Sequence, residues 1–382
     1  MRPVYVAAAL RTAVVPVNGA FKALSVTDLA TPVIHRLCAD TGLRVTEIEQ
    51  VLLGNALYGG GNPARLIALA AGIPEHRPAM TLDTQCCAGL DSFRLGAQSI
   101  ATGQADIVLV GGVESTSRRA IRLHRPLHRG HPAEAYERPP FTPWPERDPD
   151  MADAAAGLAF AHGITRDEQH DWAIESHRKT LAGRAALSAE IVPVAGQQDD
   201  VAARSLTPAI AKRTPLLAQL NESNELGLID VAGTALQADA AAFALLVSEA
   251  VLSELSNADK AVRWVTGLAG GAAADQPPAA IVPVVQRLWE QHRWQAEDFA
   301  VIELMEAYAV QAIHNSRLLA LPPERINRLG GALARGHPIG ASGAILAVRA
   351  WHELQQQTKG SQALMAIAGA GGLASVAVFE NT

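Results

Sequence analysis

The chain has 382 residues, 49% of them hydrophobic and 18% charged, enough to bury large cores and against disorder. A net charge of −6 leaves no basic footprint for nucleic acid, and no apolar run reaches the roughly 18 residues of a membrane span. Three cysteines, two of them adjacent, make neither a disulfide framework nor a zinc pattern, so a reducing cytoplasm is the simplest setting.

In chain order, residues 1–10 are apolar but lack the charged region, long core and cleavage site of a secretion signal, and they read as a buried first strand. Thr27 precedes a helix with Leu29, Val33 and Leu37 on one face. Residues 48–54 and 105–112 are apolar runs without alternation, as in strands covered by helices on both faces. Between them Leu90, Phe93, Ala97 and Ala101 recur at helical spacing, and Gly103 closes that helix. Residues 118–147 are rich in Arg, His and Pro without a clear period and read as an extended surface loop. Thr165 to Glu168 fits a capping box that opens a helix. The buried, alanine-rich pattern returns at 240–252. A second strand–helix series follows: 300–304, a helix near 306–319, a Gly-His turn with its helix, and paired strands at 363–368 and 375–380. Two similar α/β halves with a long insertion account for this order.

Two segments carry chemistry. In Gly336-His337-Pro338 the glycine permits unusual backbone angles and the proline restricts its neighbour, so the imidazole is held on a rigid turn. In Gln85-Cys86-Cys87-Ala88-Gly89 a cysteine precedes small residues at the mouth of a helix. Together they point to acyl transfer through a cysteine thioester. Taken alone, Cys86 reads first as a small buried residue, the commonest fate of a free cysteine, and His337 can simply organise its loop. Cys38 and Cys87 read as core, Glu114 and Glu306 as structural carboxylates, and the basic stretch Arg118 to His131 as a solvated loop.

The ordered blocks resemble the thiolase family, whose members make or cleave 3-ketoacyl-CoA. They are Arg11-Thr12, Gly54-Asn55, Asn62-Pro63-Ala64-Arg65, Asp83 to Leu90, Gly111 to Ser115 and Gly330 to Gly343. The resemblance implies an α/β thiolase fold, two similar halves in a five-layered α/β/α/β/α arrangement with an inserted loop domain. The first half would span 1–115 and return at about 239–255, the insertion 116–238 and the second half 257–382. It implies Cys86 as nucleophile, its thiolate favoured by a helix terminus and by His337, and backbone donors for the oxyanion within Gly369, Ala370 and Gly371. Met151 and Ser342 would contact substrate. Coenzyme A enters as a thioester substrate, with no other cofactor and no metal, and a homodimer or homotetramer is expected.

Three positions depart from the family pattern. Ala368 stands where a second cysteine would act as base, Met305 replaces an asparagine that holds a water, and Ala235 replaces a serine on the coenzyme A arm. Three readings stay open. The first is a thiolase-like acyltransferase that loads from acyl-CoA or an acyl carrier, with its Claisen chemistry impaired. The second is a conventional thiolase with a substitute base, Tyr308 being a poor candidate because an ordinary tyrosine titrates near ~10. The third is a non-catalytic subunit that binds acyl-CoA or a partner acyltransferase.

Overall fold

The computed structural model describes residues 2–220 and 226–382. Two strand–helix series repeat one topology. The first comprises β1 (Val4–Arg11), α1 (Val26–Thr41), β2 (Gln50–Gly54), α2 (Pro63–Ala70), β3 (Ala79–Leu82), α3 (Ala88–Ala101) and β4 (Ile107–Ser115). The chain then leaves the sheet through α4 (Met151–Ala161) and α5 (Arg166–Ala182) and re-enters at β5 (Ala238–Ser248). The second series comprises β6 (Val262–Gly271), α6 (Ile281–His292), β7 (Phe299–Leu304), α7 (Ala309–Leu318), α8 (Ile339–Leu354), β8 (Gln362–Gly369) and β9 (Leu373–Asn381).

In each half the first strand pairs antiparallel with the last, the last antiparallel with the penultimate, and the penultimate parallel with the second. The orders β1-β5-β4-β2 and β6-β9-β8-β7 are therefore equivalent, with β3 added at the first edge. The two sheets meet where Tyr5 and Val6 of β1 face Arg263 and Val262 of β6, so the hydrogen bonding runs on from one half into the other.

Alternation along the strands builds five layers. Val108 and Val110 of β4, with Met365 and Ile367 of β8, face a central core filled by Leu90, Phe93 and Ile100 of α3 and Ile345, Val348 and Trp351 of α8. Leu109 of β4 turns outward to Leu29, Val33 and Leu37 of α1. Leu364 and Val376 turn outward to Ile281, Val285 and Leu288 of α6. Helices thus cover both faces of both sheets, which is why every residue of β4 and β5 is buried and neither strand shows a polar alternation.

The central helices cross at backbone contact. A Cβ on Gly112 would lie 2.1 Å from the Gly340 carbonyl oxygen, and one on Gly89 would lie 2.7 Å from the Ala344 nitrogen. One on Gly343 would lie 2.6 Å from the Leu90 nitrogen. Side chains at these positions would drive the two halves apart.

Local signals hold with small shifts. The Thr165–Glu168 capping box is present, whereas α1 begins two residues earlier than Thr27 suggests, on a Ser25–Asp28 capping box. The loop expected over 118–147 contains a short hairpin, Leu123–His124 paired with Glu134–Ala135. Among the described residues no helix is long and apolar enough to cross a membrane.

Candidate active site

Two constrained turns aim the sulfur and the imidazole at each other. After β3, Gln85 adopts φ 54, a left-handed conformation uncommon outside glycine. Asp83 holds it there, its Oδ1 accepting from the Gln85 backbone N–H at 3.0 Å and from Gln85 Nε2 at 2.8 Å. The tight turn Gln85–Cys87 then runs directly into α3, which puts Cys86 at the helix mouth. On the other half Gly336 takes φ 116, and the His337 N–H donates to the Leu236 carbonyl at 2.7 Å.

Cys86 Sγ and His337 Nε2 lie 3.2 Å apart. The far nitrogen, Nδ1, is 2.6 Å from Ser342 Oγ, and the Ser342 hydroxyl donates to the Pro338 carbonyl at 2.9 Å. That hydroxyl has one proton, so its oxygen accepts from Nδ1–H and the lone pair of the neutral ring sits on Nε2, facing the sulfur. Ser342 was expected to contact substrate. It is buried on the far side of the ring and orients His337 instead.

Charge at the pair also differs from expectation. Cys86 opens onto a cavity but is otherwise enclosed by protein, and this burial pushes its thiol up to about 12. The backbone N–H groups of Cys86 and Ala370 point at the sulfur and pull the other way, while Glu114 and Asp83 add repulsion. Burial drives His337 down to about 4. Burial thus disfavours the charged form of both groups, thiolate and imidazolium, and works against the helix terminus that was expected to favour a thiolate. Of the three backbone positions expected as oxyanion donors, Ala370 is the one whose N–H meets the sulfur; Gly371 takes φ 74 and packs toward Phe141.

Two buried carboxylates fasten these turns. Glu114, at the end of β4, accepts from Asn55 Nδ2 at 2.9 Å and from the backbone N–H groups of Ala56 and Gly340, both at 3.0 Å. It thereby ties the start of the His337 helix to the first half, and burial pushes it up to about 7 despite those donors. Glu306 accepts from Trp172 Nε1 at 3.0 Å, Ser176 Oγ at 2.8 Å and Asn327 Nδ2 at 2.7 Å, which docks α5 of the insertion onto the second half. Behind them Arg11 grips Asp200 through two nitrogens, at 2.7 and 2.9 Å, and Glu190 at 2.8 Å.

A cavity of about 270 Å³ opens over Cys86 and His337. Met151, Ala235, Ala368, Gly369 and Ala370 line it, as do Thr234, Gln237, Pro277, Pro278, Tyr308 and Gln311. Met305 is absent from the lining; it is buried in the central core that also holds Ile367 and Ala341. Burial pushes the Tyr308 phenol above its ordinary range, with Cys86, Asp150 and Asp153 adding to the shift, so Tyr308 is a still poorer base than its residue type suggests. The sequence reading missed Gln311, Pro277 and Pro278. The one signal for Gln311 was its position three residues after Tyr308, on the same helical face.

A family model for the thiolase N-terminal domain matches residues 4–250 and one for the thiolase C-terminal domain matches residues 261–381. A probable acetyl-CoA acyltransferase of Staphylococcus aureus is 34% identical, over 98% of this chain and 99% of its own. A thiolase from Ascaris suum, solved in complex with coenzyme A, superposes with a TM-score of 0.90 at 26% identity, covering all of both chains. An acetyl-CoA acetyltransferase of Bacillus anthracis gives a TM-score of 0.88 at 26% identity, over all of this chain and 99% of its own. Human mitochondrial 3-ketoacyl-CoA thiolase gives 0.89 at 24%, over all of this chain and 98% of its own, and speaks for the fold. Two domain models matched in order, relatives aligned end to end and a duplicated sheet with glycine-packed central helices make this chain a member of the thiolase family.

Proposed function

We propose that the protein is an acyltransferase that loads an acyl group onto Cys86 from an acyl-CoA or acyl-carrier thioester. The acceptor it serves needs no cysteine base. The observation that carries this reading is the 3.2 Å approach of Cys86 Sγ to His337 Nε2, with Ala368 beside it in the cavity wall. As the sulfur attacks the thioester carbonyl, His337 Nε2 takes its proton, and the oxyanion meets the Cys86 and Ala370 N–H groups. Collapse breaks the carbon–sulfur bond to the donor, and the imidazolium returns the proton to the leaving thiolate. Acyl-Cys86 and a free donor thiol result, with no prosthetic group required. In the second step an attacking amine or electron-rich carbon gives its proton to His337 Nε2, which passes it to the departing Cys86 thiolate; a carbanion formed when a malonyl group loses carbon dioxide brings no proton, and the departing thiolate then takes one from water.

The names of the relatives favour a second reading, a conventional thiolase. It needs a base able to deprotonate the second acyl-CoA. Ala368 supplies none, and Tyr308 holds its proton more tightly than an ordinary tyrosine. A non-catalytic subunit would have no use for the oriented Cys86–His337–Ser342 chain.

Intact-protein mass spectrometry after incubation with acyl-CoA and malonyl-CoA thioesters tests the proposal. One acyl mass per chain supports it, and no adduct from any donor sinks it. The double variant Ala368→Cys with Met305→Asn should raise thiolysis of a 3-ketoacyl-CoA by ~10²-fold or more, the scale of a restored general base. Unchanged thiolysis in a folded double variant would mean that these two positions do not account for the altered chemistry.

The proposal includes a homodimer in a reducing compartment, where Cys86 stays a thiol. β3 is an outer edge strand with Met80 exposed, and Leu66 and Leu69 of the adjoining α2 are exposed as well. Such an edge is open to pairing with a second copy. Sedimentation equilibrium should give twice the chain mass, and a monomer at micromolar concentration would remove the dimer from the proposal.

A further inference from the structure

A second cavity, of about 580 Å³, lies at the seam between the halves and shares no residue with the cavity over Cys86. Its walls come from the start of the chain with β1, from one side of α3 and from the first half of β6. Arg2, Arg94 and Arg263 line it, and no aspartate or glutamate does. The acids that pair with them stand outside the lining: Asp106 with Arg2, Asp91 with Arg94 and Glu380 with Arg263. Arg2 is fully engaged, its other two nitrogens donating to the Ile100 and Ala105 carbonyls. Arg94 uses only Nε, at 3.4 Å from Asp91, and Arg263 uses Nε and Nη2, at 3.3 and 2.8 Å from Glu380. Arg94 Nη1 and Nη2, Arg263 Nη1, the Trp264 indole N–H and the Thr266 hydroxyl therefore have no protein partner among the described residues, and none of them is buried.

β6 is shaped around this wall. Its pairing with β9 slips between Trp264 and Thr266, a bulge of the kind that re-aims neighbouring side chains. A Cβ on Gly267 would lie 2.7 Å from Trp264 Cζ2, so the glycine leaves room for the indole, which is partly exposed. The cavity thus offers donors on two fixed guanidinium groups beside a flat ring and the apolar Pro3, Val4 and Ala101. Donors without carboxylates select an anion rich in acceptor oxygens, and a cation would find no countercharge in the lining. Inorganic phosphate would fill a small part of the volume, and an alkyl carboxylate would leave the indole face without a flat partner. A phosphate group pairs with Arg94 and Arg263, and a base carried on it stacks against Trp264.

We propose that the seam cavity is a binding site for a nucleoside phosphate, held by Arg94 and Arg263 through its phosphates and by Trp264 through its base. The site is separate from the acyl-transfer cavity and does not rest on the acyl-Cys86 reading. Coenzyme A carries the same chemistry at its nucleotide end, and the test separates it from a free nucleotide.

Isothermal titration of the full chain with ADP, adenosine, pyrophosphate and coenzyme A tests this, in the unaltered protein and in Arg94→Gln and Arg263→Gln, each shown to be folded by its melting curve. ADP should bind at least about tenfold more tightly than adenosine or pyrophosphate, and each substitution should weaken ADP by about tenfold or more. Coenzyme A affinity that falls with ADP affinity in both variants supports the site with the donor's nucleotide end as occupant. Coenzyme A affinity that the variants leave unchanged, while ADP is lost, supports it with a free nucleotide. No binding of ADP, ADP affinity that survives both substitutions, or pyrophosphate bound as tightly as ADP would overturn the proposal.

Discussion

Cys86→Ala will take up no acyl group from any thioester that loads the unaltered protein, whereas Cys87→Ala will load to a similar extent. The contrast follows from where two adjacent thiols point. Cys86 opens onto the cavity against His337 Nε2, while Cys87 is 1% exposed in the central core, its thiol donating to the Ile367 carbonyl at 3.6 Å. Only the first has a base within reach and room for a thioester. Burial raises both thiols, so the difference does not come from an intrinsically acidic Cys86. Intact mass after a fixed incubation reads the result directly. Similar adducts on both variants would place the acyl group on another residue.

His337→Ala will slow loading by ~10²–10⁴-fold and will also change its pH dependence. With His337 at about 4 and Cys86 at about 12, the neutral pair is the populated state across the neutral range. The unaltered protein should therefore load at a nearly constant rate from about pH 6 to 9. The rate should fall only as pH drops toward the imidazole value and His337 becomes protonated, which removes the lone pair that accepts the thiol proton. Without the imidazole only thiolate reacts. Its fraction rises about tenfold for each pH unit below the thiol value, so the variant's rate should climb steeply over the same range. A slow but flat profile in the variant would show that another group takes the proton.

Much of this arrangement was legible before any coordinates. Strand and helix positions followed from apolar runs and caps, and Cys86 and His337 from two segments whose local chemistry is unusual. The missing information lay in contacts between distant parts of the chain. Nothing near Cys86 in sequence announces that desolvation will work against the helix terminus, because the enclosing protein includes Ala370 and the His337 turn from the other half. Ser342 looked like a substrate contact, and its bond to His337 Nδ1 required the ring's orientation to be known. Glu306 read as a structural carboxylate, but its donors Trp172 and Ser176 come from an insertion helix 130 or more positions away. Gln311 escaped notice because a glutamine on a helix is ordinary until its amide oxygen is found buried without a partner.

The glycine crossing of α3 and α8 has a consequence for how the molecule forms. Most strand pairing lies within one half or the other, but the sulfur and the imidazole come from positions 251 residues apart. The pair forms only when the two central helices dock, because each half supplies one of its members. Until they dock, Cys86 is a solvated thiol with an ordinary pKa near ~8.5, open to any electrophile. Docking removes its water and holds its proton in one event. Newly made chains are thus most vulnerable to oxidation and alkylation at the residue they will later depend on, and completion of folding is itself what protects it.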